Sequence, residues 1–286
     1  MSESYLDPWR EVYHNLKQPV VNHLLRYPGR YLVTIRKMRI EPIPGKERVN
    51  IFGKTVIDYS NIFTYANHIR KEDGIIGLYR GHYGLCRTNI IAGFTQMAVK
   101  KMLNVLLPPR MNAASDLKAF SIETCKEIAS RTVSTIISYP FLVVNTRCLA
   151  QFVGKETLYS GWFPPFRHMY NESGISGFFV GLVPELIHEV CCVLILKGMY
   201  YLWSNVLDNQ TQRTSIRDLS VVSGFFVLQF LLPFDQTSLI MCVSNSGLEA
   251  ARKMPVYHKW TDCLRDLWRE GFLKNWLRLY WGQIPA

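Results

Sequence analysis

Hydrophobic and polar positions alternate along this chain on two scales. Long apolar runs with helical periodicity predict five long helices, over residues 8–38, 84–107, 116–152, 182–207 and 215–245. Three shorter segments, 62–71, 166–172 and 260–270, repeat apolar positions at helical spacing and predict short surface helices. The most apolar window, 219–248, holds one charged residue, Asp235, in 30 positions. As a helix it would reach about 45 Å, beyond the roughly 30 Å hydrocarbon core of a bilayer. Two other uncharged windows are shorter: 12 residues between Arg87 and Lys100, and 15 between Arg131 and Arg147. A strict requirement for about 18 apolar residues rejects both. Hydropathy alone therefore leaves a soluble helical protein open.

An internal repeat decides the matter. An acid and a glycine recur as Asp73-Gly74, Glu172-Ser173-Gly174 and Glu270-Gly271. Each is followed by an aromatic-rich stretch that closes on a second glycine, at Gly81, Gly181 and Gly282, 100 and 101 residues apart. Upstream, each unit has a proline late in an apolar run: Tyr27-Pro28, Tyr139-Pro140 and Leu232-Pro233. Proline inside a helix removes a hydrogen bond and crowds the preceding turn, so a kink is expected at each. Three units follow, 8–107, 116–207 and 215–286, forming one membrane domain over 1–286. Each reads as a long helix with a proline kink, a polar loop, a short helix and a second long helix. In the third unit only four residues follow Gly282, so the sixth long helix is expected to be absent.

This repeat resembles the mitochondrial carrier family and, more closely, its mitochondrial carrier homolog subfamily. The resemblance rests on Glu41-Pro42-Ile43-Pro44 through Asn50-Ile51-Phe52-Gly53 to Gly81, on Tyr159-Ser160-Gly161 through Gly181-Leu182-Val183-Pro184, and on Pro255 to Gly271. It covers nearly the whole chain and implies an all-α membrane protein. The implied fold is a three-repeat bundle with short surface helices, here lacking the sixth transmembrane helix. Solute carriers of the family carry Pro-x-acid-x-x-base at each kink, and salt bridges among the three copies close a gate. The equivalent sets here are Pro28, Arg30 and Val33; Pro140, Leu142 and Asn145; Pro233, Asp235 and Ser238. One of six expected charges is kept, and Arg30 has the wrong sign. Such a set cannot assemble a three-way ionic gate, and five helices would leave one wall open to lipid.

Polar residues remain inside the helices at spacings that gather each set on one face. Those assigned to a polar groove are Asn22 and Arg26 in the first helix, with Asn89 and Gln96 in the second. Arg131, Ser138 and Asn145 follow in the third, Glu189 and Lys197 in the fourth, and Gln229, Asp235 and Gln236 in the fifth. An ionisable group at membrane depth costs about 2.5–3.5 kcal/mol on insertion scales, so it faces the bundle interior or water. Arg131 and Glu189 are the foremost candidates. A bland role stands beside each: residues near helix ends can sit among headgroups, Ser138 can permit close helix packing, and Gln229 can serve one interhelical bond. A groove open sideways would let a polar segment cross while its attached apolar helix slides into lipid. That is an insertase mechanism, needing neither nucleotide nor gate.

The resemblance implies a multi-pass protein of the mitochondrial outer membrane that inserts tail-anchored and other α-helical proteins. It also implies a link to the apoptotic regulator Bid and to lipid scrambling. Sequence does not separate insertase from scramblase, from a scaffold for regulators or from a degenerate solute carrier.

Charge fits this picture. The chain carries 33 Lys+Arg against 22 Asp+Glu, a net +11. The segments joining the two long helices of each unit (36–80, 147–171 and 249–278) hold 19 basic residues, and the opposite side (1–17, 104–120 and 204–217) holds 6. Such segregation fits a membrane topology and lipid headgroups as the anionic partner, and argues against nucleic acid. Residues 1–17 contain Glu3, Asp7 and Glu11, unlike an acid-poor transit peptide, so internal targeting is expected. Seven cysteines without CxxC spacing suggest neither a zinc site nor a redox pair. His68, His168 and His258 lack an i,i+4 partner, and no Ser-His-Asp set, HExxH or phosphate-cradling loop is present. No metal, cofactor or enzymatic chemistry is expected.

Overall fold

A computed structural model describes residues 24–40, 46–49, 55–58, 60–108, 117–159, 161, 163–206, 213–244, 246–252 and 254–271. Helix α1 covers 24–37 of the first predicted helix. A hairpin follows, β1 (Lys46–Val49) and β2 (Thr55–Asp58), antiparallel with Lys46 opposite Asp58 and Val49 opposite Thr55. Next come α2 (Ile62–Gly77), α3 (His82–Leu106), α4 (Leu117–Gly154), α5 (Pro164–Gly177) and α6 (Leu182–Val206). The third unit contributes α7 (Arg213–Leu228), a 3-10 turn (Gln229–Leu231), α8 (Leu232–Ser244), α9 (Glu249–Arg252) and α10 (Trp260–Glu270). The fold is a helical bundle with surface helices. The hairpin is a local addition, where the sequence pattern shows only a polar loop.

Helix starts and stops follow the chemistry of single residues. Asn61 caps α2 by accepting from the Thr64 amide at 2.8 Å. The acid-glycine signal marks a break in each short helix: Gly74 and Gly174 have positive φ inside α2 and α5, and Gly271 has it just after α10. The predicted short helices ended at Lys71 and Glu172, just before these breaks; the structure adds a short helical piece beyond each glycine. The proline expectation holds unevenly. Helix α4 continues through Pro140. In the third unit the helix tightens to a 3-10 turn directly before Pro233, whose missing N–H leaves the Gln229 carbonyl without its helical donor.

The two described closing glycines do equivalent work. Gly81 and Gly181 both have positive φ and begin α3 and α6. A Cβ on Gly81 would lie 2.4 Å from Leu149 Cδ2 on α4, and one on Gly181 would lie 2.7 Å from the Ser238 carbonyl oxygen on α8. Each of these two glycines therefore seats against the proline-bearing helix of the following unit, in a positive-φ conformation that glycine alone adopts without strain. The tyrosines before the first two prolines complete these joints. Tyr27 donates to the Arg80 carbonyl, and Tyr139 donates to the Val180 carbonyl at 2.9 Å. Both acceptors immediately precede the closing glycine. Gly282 lies outside the described residues.

These joints belong to the short-helix end, where the apolar core also gathers. Tyr31, Ile35, Tyr65, Val143, Met169 and Ile240 are all nearly inaccessible there. Arg147 of α4 is pinned in the same layer, 1% exposed. It donates to the Cys242 carbonyl (3.0 Å), to the Tyr159 hydroxyl (2.9 Å) and to Glu172 (3.2 Å). Tyr159 donates in turn to Glu172 at 3.0 Å, and burial holds its hydroxyl above the usual tyrosine range, so it stays protonated. Units three and one meet through Lys37–Asp235 and Arg39–Glu270.

Among the described residues, two helical runs suffice by length and hydropathy to cross a membrane, α4 and residues 219–244. A third candidate is the pair α5 and α6, bent by 73° at the joint. Helix α3 does not reach that hydropathy; besides Arg87, Lys100 and Lys101 it carries Asn89 and Gln96.

Candidate intramembrane polar site

Toward the other end of the bundle, α4 changes character. At about 100° per residue, Glu127, Arg131, Ser134 and Ser138 share one face, while Val133, Ile136 and Ile137 lie roughly opposite. The apolar set is exposed. The polar set meets neighbouring helices. This is inside-out relative to a water-soluble protein and suits a lipid-facing exterior.

The polar face builds a chain of contacts across three helices. From α3, Gln96 Nε2 donates to Glu127 Oε1 at 3.3 Å, and Lys100 Nζ donates to Glu127 Oε2 at 2.8 Å. Arg131 then bridges α4 to α6, through Nε to Glu127 (3.2 Å) and through an η nitrogen to Glu189 (3.3 Å). Arg131 lies 14 positions into α4, about 21 Å from that end and about 34 Å from the other. It is thus deep within the helix. Yet the side chains of Arg131 and Glu189 are 40% and 29% exposed. Charges this deep and this open require water around them, because an isolated charge in hydrocarbon is prohibitive.

The groove residues proposed from sequence separate into several groups. Gln96, Arg131 and Glu189 stand in the chain just described. Asp235 pairs with Lys37 across α8 and α1. Asn89 is exposed on α3, eight residues beyond its closing glycine, as Glu189 is on α6. Lys197 is half-buried, two turns beyond Glu189. Ser138 is buried and contacts the Thr135 carbonyl of its own helix, at a long 3.4 Å. Asn145 is buried at the joint between units one and two, its Oδ1 filling the space beside Gly81 and Gly84. Ser238 holds the equivalent place, five residues beyond Pro233. Both family charge positions in these units therefore serve helix packing. Gln229 and Gln236 each bury a side-chain oxygen without a hydrogen-bond partner among the described residues. Arg26 is exposed, and Asn22 lies outside the described residues. Pro28 and Pro140 are half-buried and Pro233 is buried.

Several participants escaped the sequence assignment. Glu127 is the centre of the chain; its i,i+4 spacing puts it on the Arg131 face, but its place toward the helix end reads equally as a headgroup contact. Glu185, His188 and Cys192 share one face of α6 with Glu189. Lys37 supplies a base one turn past the family position at Val33. A separate cavity of about 660 Å³ lies between units one and two, lined by Arg80, Tyr83, Arg87, Asn145, Lys155 and Tyr159 among others.

The proline-bearing helices, the acid-glycine breaks and the glycine seats define a carrier-type bundle. Residues 127–211 match the family model described as mitochondrial carrier protein. The human protein named mitochondrial carrier homolog 2 is 30% identical over 275 residues, covering 92% of this chain and 91% of that protein. Mouse mitochondrial carrier homolog 1 is 31% identical over 291 residues, covering 92% and 74%. A macaque protein named mitochondrial thiamine pyrophosphate carrier is more distant, 26% identical over 228 residues, covering 75% and 69%. The chain belongs to the mitochondrial carrier homolog subfamily of the mitochondrial carrier family. It is a mitochondrial membrane protein of the carrier fold.

Proposed function

We propose that this protein is an insertase of the mitochondrial outer membrane for tail-anchored and other α-helical proteins. The observation that carries this reading is the Lys100–Glu127–Arg131–Glu189 chain, deep in the helices and half-open to water. A short hydrophilic tail attached to a substrate helix would exchange its water for these groups, which lowers the barrier to crossing. The helix itself would move sideways from the groove into lipid. Burial of about 20 apolar residues in the bilayer favours the final state; the groove only speeds arrival. Loss of the family charges at Asn145 and Val33 supports a path without a three-way ionic gate.

Proteoliposomes containing the full-length protein test this reading. The unmodified chain is expected to accelerate insertion of a tail-anchored helix over empty vesicles. Glu189→Lys places a second cation against Arg131 and is expected to slow insertion severalfold with the fold intact. Unchanged kinetics in that variant would remove Glu189 from the path. Movement of labelled lipid without movement of the helix would assign the same groove to headgroups instead. Capture of a Bid-type regulator with neither transport would assign a scaffold.

A further inference from the structure

Helix α6 carries Glu185, His188, Glu189 and Cys192 on one face, through i,i+3 and i,i+4 spacings. One ligand atom from each of Glu185, His188 and Glu189 lies within 4.8 Å of the other two. The histidine is held in a particular way. Its Nε2 lies 3.5 Å from the Cys192 sulfur, while Nδ1 is enclosed and has no hydrogen-bond partner. With the Nε2 proton directed to sulfur, Nδ1 keeps a bare lone pair. A buried acceptor without a partner destabilises the fold unless something occupies it.

The surrounding charges point the same way. Glu185 stands in the electrostatic field of Asp235 and Glu189. Arg131 from α4 pairs with Glu189, and Lys37 from α1 pairs with Asp235. Glu185 has no ion-pair partner of its own among the described residues. One divalent cation would draw Glu185 and Glu189 together and give the imidazole nitrogen a partner at once.

We infer that Glu185, His188 and Glu189 bind one divalent transition-metal cation of the zinc class. A nitrogen with two carboxylate oxygens suits zinc, whereas magnesium and calcium take oxygen alone. Zinc–nitrogen and zinc–oxygen bonds of about 2.0–2.2 Å need only small rotamer movements from the present spacing. Three protein ligands leave a fourth position for water from the groove. Cys192 orients the imidazole from behind, as outer partners of metal-bound histidines do. This site is independent of whether the groove moves proteins, lipids or nothing.

The test uses the full-length protein in lipid nanodiscs, stripped with a chelator and titrated with Co2+ and then Zn2+. One Co2+ per chain is expected to give a saturable visible absorption band that Zn2+ abolishes. His188→Ala and Glu185→Gln are each expected to weaken affinity at least about tenfold, a loss that outer-shell partners alone can bring. His258→Ala on the exposed surface is expected to leave it unchanged. In the unmutated chain, zinc is expected to block carbethoxylation of His188, read by peptide mass spectrometry. Absence of saturable binding, full affinity in His188→Ala, or equal modification of His188 with and without zinc would overturn the assignment. The modification measurement needs no variant, so a substitution that fails to fold does not decide the matter.

Discussion

Arg147 and Arg131 sit on the same helix, about 24 Å apart, and behave as different residues. Arg147 is 1% exposed and held by a carbonyl, a phenol and a carboxylate from three segments. Arg131 is 40% exposed and shares two carboxylates along an open polar face. The Arg147 end of α4 is a joint, and the other is a surface turned inward. Burial with three partners from three segments makes a structural pin. Half-exposure with spare donors makes a group that can exchange partners.

The comparison breaks most strongly at the pin. Arg147→Ala takes the Arg147 donor from the Cys242 carbonyl and leaves Glu172 with Tyr159 alone, and breaking an ion pair whose cation is buried costs up to about 3–5 kcal/mol. A large fall in the thermal midpoint in detergent is expected. Gly181→Ala forces a side chain into positive φ and against the Ser238 carbonyl, costing about 1–3 kcal/mol from the backbone alone. Unfolding should again occur at lower temperature, with no specific effect on transport by the molecules that remain folded. Tyr139→Phe removes the hydroxyl donor and leaves the Val180 carbonyl with the weak Cys242 thiol at 3.5 Å; loss of one such hydrogen bond costs about 0.5–1.5 kcal/mol, and a smaller midpoint shift is expected. At the open end, Arg131→Ala should alter stability by only about 0–1 kcal/mol, as exposed pairs do. Its insertion kinetics should nevertheless change. The exchange Arg131→Glu with Glu189→Lys sharpens the contrast: it should recover more insertion than either reversal alone. Failure of the pair to recover would mean that the two charges act separately.

Much of the fold is legible in the chain because one residue often decides a boundary. Helix α10 spans the residues that its apolar periodicity predicts, and Gly271 stops it. Helices α3, α4 and α6 begin and end within two residues of expectation. The hairpin escaped because two four-residue strands offer no long period to detect. The break before Pro233 was legible as a kink, but its 3-10 form was not. Within the polar site, helical spacing found the faces of Arg131 and Glu189. It could not tell Asn145 from a groove residue, because a polar side chain at an interhelical joint has the same spacing. That distinction depends on Gly81 and Gly84, distant in sequence and adjacent only after folding. Glu185 and His188 were hidden for the converse reason. Spacing displayed them, but only the orphaned ring nitrogen gave them a meaning.

The seating of Gly81 on α4 and of Gly181 on α8 gives assembly a direction. A ribosome delivers the first unit with its receiving partner still unmade, so that unit remains provisional until the second arrives, and the second until the third. Truncation before residue 117 should therefore yield a client of chaperones and proteases, with no autonomous hairpin of helices to rescue. A larger side chain at either glycine is strained even where the next unit retreats, because the positive φ itself disfavours it.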